Sequence, residues 1–231
     1  MKFLFFILFI IGCSNQNNPY FPLEKVKSWS YQVEIQPEIE KKTTYKKINI
    51  ALGKRKLEID GNKTFFYPFL REDGSIYLYN IDKSGIYRNG SAFSKDKRIS
   101  SEKAKRLVLP IPLEIGRKWA VESKTFLILK RYPYYDYRAT TNFDIEYEIV
   151  SKTEVVNTPM GKFKDCLLVK GVGKTKFIGD SEIGSIEINI TSDEWYAKGI
   201  GLVKTIRTEK TDSDLFGTTK MTQLLENYQF N

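Results

Sequence analysis

The chain contains no histidine among its 231 residues. This absence excludes Ser-His and Cys-His nucleophilic systems, because both need an imidazole as the base. It also excludes zinc sites built on histidine and removes the usual general base near neutral pH. The sequence therefore predicts a protein that is not an enzyme and that carries no cofactor and no metal site.

Long hydrophobic runs are also missing, and the most apolar stretch lies at the N-terminus. The run from Phe3 to Ile11 has nine apolar residues, whereas a membrane-spanning helix needs about 20. It follows a single positive charge, Lys2, and precedes a small residue, Gly12. This arrangement is typical of the apolar region of a signal peptide rather than of a membrane span.

The end of this run, Ile10-Ile11-Gly12-Cys13, resembles the lipobox of bacterial lipoprotein signal peptides. The resemblance implies a signal peptide over residues 1–12 and lipid attachment at Cys13. Two or more acyl chains would anchor the chain stably in a membrane. The alternative is an ordinary secretory signal cut nearby. Residues 13–23 then form the lipidated cysteine and a polar tether, and Ser14 in place of aspartate favours the outer membrane of the cell envelope if the cell has one.

Cysteine is scarce, since only Cys13 and Cys166 are present. With Cys13 acylated, Cys166 has no partner within the chain, which excludes a disulfide framework. Cys166 lies in a run typical of a strand, Asp165 to Val169. A buried and chemically inert thiol is the expected state.

Acidic residues are outnumbered, with 28 Asp and Glu against 37 Lys and Arg, for a formal charge of +9. A basic surface attracts anionic lipid or nucleic acid. Export to a membrane surface argues against a nucleic-acid partner, and the charges are scattered along the chain, as on an ordinary solvated surface. The predicted partners are the membrane, through the anchor, and an amphiphilic ligand, a glycan or an envelope protein.

Apolar and polar residues alternate with period two in many segments, most regularly in Phe143–Ile149 and Ile186–Thr191. Shorter examples are Val33–Ile35, Ile48–Ile50, Leu57–Ile59 and Val203–Arg207. Strict alternation indicates strands of an antiparallel sheet with one face in a core and the other in water.

Turn residues separate these segments, as in Asp60-Gly61-Asn62-Lys63 and Glu72-Asp73-Gly74-Ser75. The pattern predicts one all-β domain over residues 24–231, an antiparallel meander of about eleven to thirteen short strands. These strands would form a curved sheet, a half-barrel or a sandwich, and the domain would contain little helix. Residues Ser101–Leu107 are either a weak helix capped by Ser100 or a charged loop.

Three segments together resemble exported β proteins and lipoproteins of the DUF3108 type: Leu109–Trp119, Thr158–Cys166 and Glu194–Lys204. The resemblance spans about residues 105 to 210 and implies an antiparallel sheet wrapped into a half-barrel. It implies no activity, because the family has no agreed chemistry. The residues also have structural roles: Pro110 and Pro112 indicate an edge or bend, and Trp119 is an expected core residue.

The segment Arg131–Arg138 contains four tyrosines flanked by arginines. Such side chains suit lipid headgroups, glycans or a protein partner. The alternative is a hairpin tip whose rings pack on their own strands. The candidate binding residues are Arg131, Tyr132, Tyr134, Tyr135, Tyr137 and Arg138.

Carboxylates offer a different class of function, a hydrolase acting on envelope glycans through two acidic groups. The available residues are Glu146, Glu148, Asp193 and Glu194. The first two alternate along a strand and are expected to face solvent. Two further pairs, Asp180 with Glu182 and Asp212 with Asp214, are candidates for weak calcium binding. Neither pair has the spacing of an EF-hand loop.

Overall fold

Fifteen β-strands form the regular structure in a computed structural model that describes residues 18–59, 61–93, 99–125, 127–131, 135–179, 181 and 184–231. None of these residues is helical, so no helix among them could cross a membrane. The strands are β1 (Val26–Pro37), β2 (Thr43–Ala51), β3 (Arg55–Ile59), β4 (Asn62–Arg71), β5 (Ser75–Ile81), β6 (Gly85–Phe93), β7 (Ile99–Pro110), β8 (Lys118–Lys124), β9 (Leu127–Arg131), β10 (Tyr135–Ala139), β11 (Asn142–Thr158), β12 (Gly161–Ile178), β13 (Ser185–Ala197), β14 (Gly201–Thr211) and β15 (Thr218–Phe230).

The all-β antiparallel fold is confirmed, and the sheet is a nearly closed barrel. The main sheet has thirteen strands in the order β7-β6-β5-β4-β2-β1-β15-β14-β13-β12-β11-β8, with β3 paired to β4. The two end strands, β7 and β8, follow each other in the chain. Arg106 on β7 donates a hydrogen bond to the carbonyl oxygen of Glu122 on β8. We call the line where these end strands meet the seam.

Two details of the predicted strands are wrong. The part of the chain described by the structure has more strands than eleven to thirteen, and β11 and β12 are long, with 17 and 18 residues. Residues Ser101–Leu107 are neither helix nor loop but part of β7, paired with β6. Local helix propensity is weak compared with a full ladder of hydrogen bonds to a neighbouring strand.

The predicted alternation is confirmed on β11 and β13, where Phe143, Ile145, Ile186, Ile188 and Ile190 are all buried. Beneath two aromatic rings of β11, strand β12 carries glycine. A Cβ atom at Gly173 would lie 2.5 Å from the Phe143 ring, and one at Gly171 would lie 2.6 Å from the Tyr147 ring. Glycine is therefore required at these points for the rings to lie flat on the sheet.

The predicted turns are confirmed where the structure describes them. Gly61 and Gly74 have φ values of 78° and 80° in the hairpins β3–β4 and β4–β5. The Pro159-Met160-Gly161 segment joins β11 to β12, and residues 198–200 join β13 to β14. Pro110 ends β7 at the seam, as expected of a residue that cannot donate to a ladder.

Buried side chains form two clusters. The first lies mainly on β8, β11, β12 and β13 and contains Trp119, as predicted. The second lies mainly on β1, β4, β14 and β15. Phe21, from the segment before β1, packs against both clusters. The space between the clusters is therefore bounded by apolar residues on both sides.

Candidate functional site

Two adjoining cavities lie inside the barrel, with volumes of about 160 and 170 Å³. Phe21, Tyr79 and Leu202 line both of them. The first cavity lies beside the cluster on β1, β4, β14 and β15. The second cavity lies beside the cluster on β8, β11, β12 and β13 and beside the seam. Each is about as large as an engineered protein cavity of roughly 150 Å³ that accepts benzene. We call the two together the interior site.

The first cavity is lined by aromatic rings on one side. Phe69 lies 5.2 Å from Trp29, 5.0 Å from Tyr79 and 6.1 Å from Phe21, measured between ring centroids. The other side is polar, because the antiparallel register places Tyr31 opposite Lys47 and Asn49 opposite Arg71. The cavity is therefore amphipathic.

Arg71 is fixed at the polar side of this cavity. Its Nη1 donates to the Tyr77 hydroxyl at 2.7 Å, and its Nη2 lies 3.7 Å from Oε1 of Glu72. Its Nε and the Oδ1 of Asn49 are buried without a hydrogen-bond partner in the described part of the chain. Buried polar atoms normally have a partner, so these two are available to hydrogen-bond a water molecule or a polar atom of a ligand.

Lys47 is the other cation of this cavity. Its Nζ donates to Oε1 of Gln223 at 2.9 Å. Burial, followed by the charge of Arg71, lowers the pKa of Lys47 to about 8. Three carboxylates act in the opposite direction, those of Glu72, Glu194 and Asp73.

This lowered pKa predicts how stability depends on pH. Because Lys47 titrates near pH 8 when folded and at its ordinary value of 10.5 when unfolded, the unfolded state binds more protons between these values. We expect the free energy of unfolding to rise from pH 8 to 9.5 more steeply for the natural chain than for Lys47→Met. Urea unfolding at pH 7.0, 8.5 and 9.5 measures this difference, and equal slopes for the two proteins would contradict the assignment.

Among the residues whose side chains the structure describes, the second cavity contains one carboxylate, that of Glu194. The hydroxyl of Tyr147 donates to Oε1 of Glu194 at 3.3 Å, and the hydroxyl of Tyr196 donates to its Oε2. Burial, followed by the charge of Glu194, raises the pKa of both tyrosines. Both hydroxyls therefore remain protonated and continue to donate to this carboxylate.

The carboxylate pairs considered for hydrolysis are not assembled as a catalytic site. Glu194 faces the interior, whereas Asp193, the preceding residue of the same strand, faces the opposite side of the sheet. Glu146 and Glu148 are on the outer face, each 3.5 Å from Nζ of Lys118.

Of the residues considered for calcium binding, Asp212 accepts a hydrogen bond at its Oδ1 from the Glu187 amide at 2.8 Å. Asp180 and Glu182 lie outside the described residues.

No group of acidic or cysteine residues suited to a metal ion occurs among the residues that the structure describes. Cys166 is buried and unpaired, as predicted. Burial, followed by the charges of Asp165 and Glu154, raises the pKa of its thiol to about 11. A thiol in this state is a poor nucleophile.

The tyrosine-rich candidate segment lies on a separate hairpin. Strands β9 and β10 form a two-stranded sheet in which Tyr135 pairs with Arg131 and Tyr137 with Leu129. Arg138 belongs to β10, while Tyr132 and Tyr134 lie outside the described residues. The binding role of all six candidate residues stays a prediction. Cys13 and the signal peptide also lie outside the described residues.

Sequence reasoning missed the residues of the interior site. On β2 the apolar residues Ile48 and Ile50 occupy the face opposite to Lys47 and Asn49, which line the first cavity. The rule that apolar residues face the core would place Ile48 and Ile50 inside the barrel and Lys47 and Asn49 outside it, which is the opposite of what the structure shows. The available signal was Tyr31 on the neighbouring strand, because residues paired across a sheet share one face.

The comparisons with known proteins find a match to a family model and a likeness to solved structures. Residues 132–221 match the model of the DUF3108-like family. A solved structure of a predicted lipoprotein from Parabacteroides distasonis is 16% identical, with 92% of this chain and 99% of that chain covered and a TM-score of 0.38. A predicted exported protein with a YmcC-like fold from Bacteroides fragilis is 15% identical, with coverage of 90% and 98% and a TM-score of 0.36.

No protein of curated function matches the sequence. The family match extends from the hairpin β9–β10 into β15 and includes two of the three segments on which the resemblance was predicted. The resemblance to DUF3108-type proteins is therefore confirmed over residues 132–221.

Proposed function

We propose that this chain is an exported, lipid-anchored protein of the cell envelope that binds an amphiphile inside its barrel. The observation that carries the proposal is the interior site, two adjoining cavities lined by aromatic rings and by cationic side chains. The predicted signal peptide over residues 1–12, directly before Cys13, supports membrane attachment, and Ser14 favours the outer membrane if the cell has one.

The chemistry of the walls suits a molecule with an apolar part and a polar part. Rings of Phe21, Trp29 and Phe69 offer a surface on which hydrocarbon can be buried. Lys47 and Arg71 on the opposite side offer charged donors. Ligand sites are usually concave and mostly apolar with a few convergent polar groups, which is the composition of this interior.

The seam provides a route into the barrel. Because β7 and β8 stand at opposite ends of the strand order, no backbone ladder joins them. Pro110 lies where β7 ends and Pro112 lies in the connection to β8. Separating these strands requires the loss of side-chain contacts such as the Arg106 bond to Glu122, and it leaves the rest of the sheet paired.

A binding protein agrees better with these residues than a hydrolase does. The absence of histidine removes the common nucleophile systems. The opposite orientation of Asp193 and Glu194 prevents them from acting on one bond. We also propose that the hairpin β9–β10, which contains Arg131 and Tyr135, contacts lipid headgroups, a glycan or an envelope protein.

Extraction of the protein tests the proposal. The full chain is purified from its own membrane in an uncharged fluorinated surfactant, and organic extracts are examined by mass spectrometry. We expect one noncovalently bound amphiphile per chain, beyond the lipid that stays attached to Cys13. Another lipid-anchored protein from the same membrane is the control. An extract no richer than the control would contradict the proposal.

A further inference from the structure

We propose that one face of the β3–β4 hairpin docks on the anionic lipid surface of the membrane to which the chain is anchored. The residues of this docking face are Lys54, Lys56, Lys63 and Phe65. The inference rests on the proposed function for the lipid at Cys13 and goes beyond it, because it adds a second membrane contact. Together the two contacts fix which end of the barrel faces the membrane.

The chain is held on the barrel from Asn18 onward. Asn18 and Tyr20 are 6% and 4% exposed, and the carbonyl oxygen of Pro19 accepts a hydrogen bond from the Gly199 amide at 2.6 Å. Asn18 is five residues after Cys13, which is at most about 18 Å in an extended chain. A lipid on Cys13 therefore keeps this end of the barrel within that distance of the membrane surface.

The β3–β4 hairpin lies at the same end of the barrel. Strand β1 begins here, and its antiparallel neighbour β2 ends here, directly before β3. The Tyr67 hydroxyl, at the base of the hairpin, donates to Oε1 of Glu24 at 2.9 Å, in the segment that leads from the anchor to β1. The β9–β10 hairpin lies at the opposite end, where β8 ends and β11 begins. The anchor therefore brings the β3–β4 hairpin close to the membrane, and it leaves the β9–β10 hairpin within reach of a glycan or an envelope protein.

The hairpin extends beyond the rest of the sheet as two strands. Strand β4 pairs with β5 at Tyr67–Leu70, and at Asn62–Phe66 it pairs with β3. Among the described strands, β4 is the only one that pairs with β3. One face of the hairpin packs inward, since Phe66 is 2% exposed. The other face points away from the barrel, and Phe65 lies on it with 52% of its surface exposed.

The docking face combines an exposed aromatic ring with lysines. Lys56 is directly opposite Phe65, and Lys63 is two residues before Phe65 on the same strand, so the three side chains share one face. Nζ of Lys54 lies 4.9 Å from the centroid of the Phe65 ring. Oε2 of Glu58 lies 3.5 Å from Nζ of Lys63, but residues 54–65 have four basic and two acidic side chains in all. A ring of this kind enters the headgroup region, while the lysine ammonium groups stay in water beside lipid phosphates.

A surface of modest affinity is sufficient at this position. Each lysine close to an anionic leaflet strengthens membrane binding about fivefold. Transfer of the exposed part of the Phe65 ring out of water adds to this. Because the anchor makes docking an intramolecular step, the hairpin meets lipid at a high effective concentration.

Spin-label measurements on the full lipidated chain in vesicles test the proposal. A nitroxide on Thr64→Cys, an exposed position beside Phe65, reports on the hairpin. A nitroxide on Ile39→Cys, 56% exposed at the opposite end, is the control. Cys166 is 0% exposed and does not take the label. The vesicles contain phosphatidylcholine alone or mixed with phosphatidylglycerol. We expect the mixed vesicles to shield the label at position 64 from a water-soluble nickel chelate and to leave the label at position 39 in water.

Charge and ring variants, made in the chain labelled at position 64, identify the side chains responsible. Replacing the three lysines of the docking face by glutamine is expected to weaken docking about a hundredfold, so that the label returns to water. Phe65→Ser is expected to weaken docking at least about tenfold. The matched control removes the same charge from the opposite end by replacing three exposed lysines with glutamine, Lys176, Lys210 and Lys220. We expect this control to keep the label shielded.

The outcomes distinguish hairpin docking from the lipid anchor on which it rests. A chain that stays on the mixed vesicles while the label at position 64 remains in water would overturn the docking face and leave the anchor standing. That is the result expected if the lysines only protect the free edges of the hairpin from aggregation. A chain that leaves the vesicles would contradict the anchor and the docking face together. Shielding that survives the loss of the three lysines would overturn the claim that anionic lipid is the partner. Because the first comparison keeps all four side chains of the docking face, it does not depend on whether the variants fold.

Discussion

Replacing Arg207 by methionine is expected to lower the free energy of unfolding by about 3–5 kcal/mol, the usual effect of breaking a buried ion pair. The Nη2 of Arg207 lies 2.8 Å from Oε1 of Glu209, whose side chain is 7% exposed. The same guanidinium donates to the carbonyl oxygen of Lys124 at 2.8 Å and to the Ser123 hydroxyl at 3.3 Å. It thereby ties β14 to β8 across the barrel. The substitution leaves the Glu209 charge buried without this partner.

Urea unfolding of three proteins measures the effect and identifies its cause. The double variant Arg207→Met with Glu209→Leu is expected to recover to within about 1 kcal/mol of the natural chain, because the buried carboxylate is removed together with its Arg207 partner. Lys174→Met is the matched control, since its ion pair with Glu187 at 2.7 Å is on the surface. We expect it to leave the transition unchanged. A small effect of Arg207→Met, or a double variant no better than the single one, would contradict this account.

Leu202→Trp is expected to remove bound amphiphile from the purified protein to below detection. Leu202 lines both cavities, so a larger ring at this position takes up space in both halves of the interior site. Placing a large residue in a full core costs about 1–3 kcal/mol, but here the ring enters open space and buries apolar surface. The melting temperature of the ligand-free protein is therefore expected to stay the same or rise.

The matched control for this substitution is Leu224→Trp. Leu224 pairs with Lys204 and Gln32 on the outer face of the same barrel. Mass spectrometry of organic extracts compares the amphiphile content of the two variants with that of the natural chain. Equal content in Leu202→Trp and Leu224→Trp would show that the ligand is bound elsewhere.

Much of the fold could be predicted from the sequence, because side-chain alternation reports directly on strands with one buried face. Phe143–Ile149 and Ile186–Thr191 are examples in which every expected residue is buried. Strand β7 could not be predicted, since the charged residues Glu102, Lys103 and Lys105 carry no alternating pattern. Its conformation follows from pairing with β6, a contact between segments that local propensity does not encode.

The candidate site was harder to predict than the fold. A sequence pattern assigns apolar residues to the interior, but this interior also contains Lys47, Arg71, Arg88 and Glu194. The face on which these side chains lie depends on the register of strand pairing. That register involves strands far apart in the sequence, such as β1 and β15. The tyrosine-rich segment was conspicuous because its composition is unusual. An unusual composition can be read from one segment of the sequence. A cavity is formed by side chains from several strands, and their convergence cannot be read from any one segment.

Native mass spectrometry of the intact protein, released from its own membrane in a fluorinated surfactant, tests the central claim most directly. The account predicts that the natural chain carries one noncovalent adduct with the mass of an amphiphile, that activation in the gas phase removes this adduct, and that Leu202→Trp lacks it. A natural chain whose mass equals that of the lipidated polypeptide alone would contradict the claim that the barrel interior is a binding site.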